Sequence, residues 1–71
     1  MALRIGRCLL PRLLKKAKLT QVELAIRVGM SESTISQYAH NARVMSLLSA
    51  KLIAKELKVP IDDLYEWLEA E

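Results

Sequence analysis

Residues able to do chemistry are sparse in this chain. It holds one histidine, His40, one cysteine, Cys8, and two glycines that form no phosphate-cradling loop. A lone cysteine can make neither an internal disulfide nor a cysteine-built zinc site, and its ordinary role is that of a small hydrophobe. The carboxylates Asp62, Asp63, Glu66, Glu69 and Glu71 crowd one end of the sequence and read as a solvated face, not as a convergent pair. No nucleophile, base and orienting group can be assembled from this set, so the expectation is a non-enzyme with no metal and no cofactor. What remains is hydrogen-bonding chemistry. Ser33, Thr34, Ser36 and Gln37 surround Ile35 and Tyr38, giving a short segment that is small and polar apart from two apolar residues at i, i+3 spacing. Ser and Thr are indifferent helix formers, so a helix there depends on packing, and its polar face is suited to contact.

The rest of the composition sets bounds on what positions that segment. Seventy-one residues make one domain with a small core, expected here to span 1–71. An apolar content of 52% is high for such a chain and implies either a dense helical core or an exposed interface patch. Charge is unevenly distributed. Residues 1–58 carry all eleven Lys and Arg against three acids, a net +8, whereas residues 59–71 carry five acids and no base, a net −5. A basic body with an acidic end fits one surface that meets a polyanion and another held away from it. No stretch reaches the roughly 18–20 apolar residues of a membrane span. Met1 to Leu10 lacks a small-residue cleavage site and runs into Arg12, Lys15, Lys16 and Lys18, so a cytoplasmic protein is expected.

Punctuation in the sequence predicts short helices joined by tight turns. A first helix spans about 9–17, with Pro11 in its first turn and Leu10, Leu13, Leu14 and Ala17 on one face. Residues 1–8 form either a loose arm or a fraying extension. Thr20 and Glu23 have capping-box spacing and open a second helix that Gly29 ends. Ser31 caps a third helix running to Tyr38 or Ala39, and Asn41 is the best candidate for a left-handed turn residue. Ser46 caps a fourth over about 47–58, with Leu48, Leu52, Ile53 and Leu57 inward. After Val59–Pro60, a fifth covers about 61–68, with Ile61, Leu64, Tyr65 and Leu68 on one face. Two helices joined by so short a turn around Gly29 must cross steeply, which needs a small residue (Ala25) and apolar pins (Leu24, Val28, Met30, Ile35, Tyr38). The outer face of the second helix of that pair is then free to enter a major groove.

The segment Leu19-Thr20-Gln21-Val22-Glu23-Leu24-Ala25, continued through Gly29 to Ser36, resembles the Cro/phage-repressor (XRE-type) helix-turn-helix family, and 52–64 resembles its last two helices. The likeness covers about residues 8–68. It implies an all-α, five-helix, lambda-repressor-like domain with its helix-turn-helix at 20–40. Carried onto these positions, Ser31, Glu32, Ser33 and Gln37 are implied at the base edges. Gln21, Thr34, His40, Asn41 and Arg43 are implied at the phosphates. Gln37 could pair bidentately with adenine. Glu32 could accept from a cytosine amino group or could instead favour its own helix N-terminus by charge. Two departures stand out. Leu14 and Ala39 occupy places where many members pair an arginine with a glutamate, and Asn41 stands where glycine is common.

One such module contacts too few base pairs to be selective, so a homodimer on an inverted-repeat operator is expected. Tyr65, Trp67 and Leu68 are its candidate seam, with core packing the other role for Trp67. The function implied is a sequence-specific DNA-binding transcriptional regulator, a repressor or Cro-like regulator of a bacterial, prophage or mobile-element operon. The alternative is an antitoxin or partner-controlled module that also binds its own operator.

Overall fold

Helix boundaries are set by caps. In the computed structural model, which describes residues 2–70, the Thr20 hydroxyl accepts from Glu23 N at 3.1 Å while the Glu23 carboxylate accepts from Thr20 N at 3.0 Å. This reciprocal box opens α2 (Gln21–Val28), preceded by α1 (Leu10–Ala17). Ser31 Oγ accepts from Thr34 N at 3.1 Å to open α3 (Glu32–Ala39), and Ser46 Oγ accepts from Ser49 N at 3.1 Å to open α4 (Leu47–Leu57). Three helices end alike, on a left-handed residue followed by a closing bond. Gly29 (φ 72°) is followed by Met30 N to Ala25 O at 3.0 Å. Lys18 and Lys58, both at φ 58°, are followed by Leu19 N to Leu14 O and Val59 N to Ala54 O, each at 3.0 Å.

Both ends of the chain depart from the five-helix, all-α expectation. Ala2–Cys8 is a strand, β1, not a loose arm or fraying extension; Met1 lies outside the described residues. The expected fifth helix is a single 3₁₀ turn, Ile61–Leu64, after which Tyr65–Ala70 forms a second strand, β2, antiparallel to β1. Helical spacing at Ile61, Leu64, Tyr65 and Leu68 is equally compatible with one turn followed by a strand. Pairing with β1 satisfies the facing backbone groups of both segments and decides between them. Ile5 pairs with Trp67, Arg4 with Leu68 and Leu3 with Glu69, and a bulge then shifts the register before Cys8 meets Tyr65. At the bulge Gly6 lets the strands close, since a Cβ there would sit 2.8 Å from Glu66 Cβ. Glu66 turns its carboxylate onto Arg7 N at 3.0 Å.

The core lies where helices and sheet meet. Leu10, Leu24, Ile35, Ile53 and Leu64 are completely enclosed, one from each helix and one from the 3₁₀ turn. Leu14 and Ala39, the positions lacking the arginine–glutamate pair, are both buried where α1 packs on α3. On α4 the contact stripe is Ala50, Ile53 and Ala54, and Leu57 is half-buried. Leu48 and Leu52, expected inward, are instead 70% and 40% exposed, because the two alanines carry the close approach to neighbouring elements. No helix among the described residues is long and apolar enough to cross a membrane.

Candidate nucleic-acid interface

α2 and α3 form the helix-turn-helix. Leu24 and Ala25 from α2 and Ile35, Tyr38 and Ala39 from α3 are buried together, which fixes α3 by its inner side. The opposite side stays open. Ser33, Gln37 and His40 are exposed and fall four and three residues apart, so they form one stripe along the outer surface of α3 and its C-cap. Glu32 is exposed in the first turn beside this stripe.

Local hydrogen bonds divide the expected contact residues by what their polar atoms already do. Ser31 Oγ caps α3 and lies 2.8 Å from Thr34 Oγ1, and Thr34 is half-buried. These two hydroxyls are therefore engaged with the start of α3 as well as close to its outer face. His40 Nδ1 stands 2.8 Å from the Ser36 carbonyl. A carbonyl only accepts, so Nδ1 carries the proton and Nε2 can donate to an anion only in the imidazolium form. Asn41, left-handed at φ 62° as expected, accepts at Oδ1 from Cys8 N at 2.7 Å, which orients its amide NH₂ the other way. Arg43 is exposed, and among the described residues it makes no ion pair.

At the start of α2, the capping box occupies Thr20 N and Glu23 N, and Leu24 N reaches Thr20 O. The amides of Gln21 and Val22 keep no partner among the described residues. They lie at the positive end of the helix dipole, with the half-buried Gln21 side chain alongside. The hydrogen bond from Thr20 N, with the Thr20 side chain beside it, holds the Glu23 carboxyl below its ordinary range, with a smaller contribution from Arg27. Arg27 pairs with Glu56 at 3.3 Å and ties the back of α2 to α4.

The three seam candidates separate. Tyr65 is buried within the chain's own core, its hydroxyl accepting from Met45 N at 3.1 Å, and burial pushes its phenol above the ordinary value. Trp67 and Leu68 are exposed on opposite faces of β2. Leu3 and Ile5, absent from the expected seam, share the Trp67 face. Their signal was the alternation Leu3-Arg4-Ile5, a period of two that three residues are too short to establish alone. The Trp67 face continues into an apolar groove of about 360 Å³ bordered by Val44, Leu47 and Ala50.

Known proteins resemble this chain in sequence and in fold. A family model described as Helix-turn-helix matches residues 12–64. The chain is similar to the SPbeta prophage-derived uncharacterized HTH-type transcriptional regulator YopS of Bacillus subtilis (strain 168). Identity is 39% over 64 residues, covering 89% of this chain and 86% of that protein. Among solved structures it is similar to the transcriptional regulator VanUg (Form II), with a TM-score of 0.73 and 27% identity, covering 99% of this chain and 92% of that one.

Proposed function

The chain belongs to the XRE-type helix-turn-helix family, and from that premise we propose how this DNA-binding transcriptional regulator reads its site. It binds a short inverted repeat as a homodimer, with α3 of each copy in a major groove. Ser33 and Gln37 read base edges at the centre of the outer stripe, with Ser31 and Glu32 at its leading end. Gln21 and the open amides of α2 hold one phosphate; Thr34, His40, Asn41 and Arg43 meet others. The observation that carries this reading is the Ser33–Gln37–His40 stripe, exposed on a helix whose other side is locked into the core. The prophage origin of the Bacillus subtilis relative supports a repressor or Cro-like regulator of a prophage or mobile-element operon.

The seam is the sheet face of Leu3, Ile5 and Trp67 with the adjoining groove, and Leu68 lies on the reverse of the same hairpin. That groove is also the feature favouring the second reading, an antitoxin or partner-controlled module in which a different protein covers the apolar face. Co-purification of a stoichiometric partner supports the second reading, and a clean homodimer supports the first.

Competition binding separates the two kinds of contact. Gln37→Ala should relax preference at one base pair by about 1–3 kcal/mol, whereas Gln21→Ala should weaken all sequences alike. Equal loss on every sequence for both variants contradicts the assigned roles.

A further inference from the structure

Beside the C-terminal end of α3 lies a cleft of about 280 Å³ in which Asn41 is the one residue already assigned to a phosphate. It is lined by Arg7 from β1, Arg12 from the first turn of α1, Ala39 and Asn41 from the end of α3, and the Cys8–Leu9 corner with Pro11. Its side-chain hydrogen-bonding groups are donors. Arg7 and Arg12 carry guanidiniums. Asn41 has its oxygen engaged by Cys8 N at 2.7 Å, which leaves its amide NH₂ as the free polar group. No acidic side chain lines the cleft. Glu66 lies outside the lining, accepts from Arg7 N at 3.0 Å and Nε at 3.4 Å, and offsets part of the positive charge of Arg7 and Arg12. Arg12 is exposed and makes no ion pair among the described residues.

We infer that this cleft seats a phosphodiester of the DNA backbone, held by Arg12, Arg7 and the Asn41 amide. The assignment rests on the DNA-binding reading and extends it, because it recruits β1 and the start of α1 to the interface. Two arginines and an asparagine amide border one concavity, donors suited to the several acceptor oxygens of a phosphate. Its place at the exit of α3 is where the backbone passes a helix seated in the major groove. A free phosphate ion has the same chemistry, so the test must separate the two sources.

The measurement is the salt dependence of duplex binding for the full chain and for Arg12→Gln, with Lys55→Gln as an exposed cation outside the cleft. Arg12→Gln should lower the slope of log K against log salt by about 0.9 and weaken all duplexes by a similar factor, while Lys55→Gln leaves the slope unchanged. A neutral methylphosphonate at the contacted linkage should weaken the full chain several-fold and Arg12→Gln by a clearly smaller factor. That second arm does not depend on the variant's stability. Intact binding with an unchanged slope in Arg12→Gln overturns the assignment alone, whereas failure of the unaltered chain to bind any duplex overturns the DNA reading and this site with it. If inorganic phosphate shifts the Asn41 side-chain resonances while the slope is unchanged, the cleft holds a free anion and the phosphodiester assignment falls.

Discussion

Asn41 shows how much one side chain can hold. Its left-handed backbone ends α3, and its carbonyl oxygen receives the amide of Cys8 from a strand 33 positions earlier. Asn41→Ala keeps the backbone strain and strands a part-buried N–H, so it should destabilise the fold by about 1–3 kcal/mol in urea titration. Asn41→Gly removes the same acceptor but relieves the strain, and should cost less. An equal loss in both variants would mean the turn conformation has no part in the effect. The left-handed position was legible in the sequence, because Asn tolerates that conformation and interrupts a run of helix formers. Its partner was not, since nothing in residues 1–8 signals where their amides go. Cys8 is similar: its burial in the core raises the thiol above the ordinary value, a consequence of packing that composition does not reveal.

Caps carry local signals, and here they placed three helices from sequence, with Pro11 marking the start of the first. Thr20→Ala should remove about 1 kcal/mol by breaking the box, read as a lower urea midpoint. Lys58→Gly should move the other way, because a lysine at φ 58° bears a cost that glycine avoids, and the gain should approach about 1 kcal/mol in thermal melts. Strands carry weaker signals. Ala2–Cys8 and Tyr65–Ala70 are at opposite ends of the chain, and each becomes a strand only because the other is present. The bulge makes the pairing sensitive: Gly6→Ala sets a methyl against Glu66 and should loosen the sheet, seen as faster amide exchange in β1 and β2 than in α4. Glu23 and Glu66 report on a helix start and on this bulge. Hydrogen bonds, from Thr20 to the first and from Arg7 to the second, hold both carboxyls below the ordinary 4.5. A depressed carboxyl stabilises the fold above its unfolded value and ceases to do so as pH falls through its folded value. The contribution should therefore be complete above about 4.5 and fade below it. Stability of Glu23→Gln,Glu66→Gln should fall less steeply in that acid window than that of the unaltered chain.

At the scale of the molecule, the surface combines an excess of bases with an unusual amount of exposed apolar side chain. The excess of bases in residues 1–58 was visible in the sequence, and so was the outer face of α3. The acidic end was visible too, but not its fate, because it folds back as a strand and Glu66 is held by Arg7. The large apolar fraction resolves into both roles foreseen for it, a packed core and an exposed band at Leu3, Ile5, Val44, Leu47, Leu48 and Trp67. A homodimer through that band fits its exposure, and sedimentation should show a dimer that Leu47→Glu dissociates without unfolding. The central claim is that a two-fold arrangement of α3 reads a defined sequence. Selection of bound duplexes from random DNA tests it most directly. The expected result is one enriched inverted repeat with half-sites about 10–10.5 base pairs apart, or a multiple of that spacing, whose preference Gln37→Ala relaxes at a single position. Recovery of unenriched sequence, bound with the same affinity as the starting pool, would contradict it.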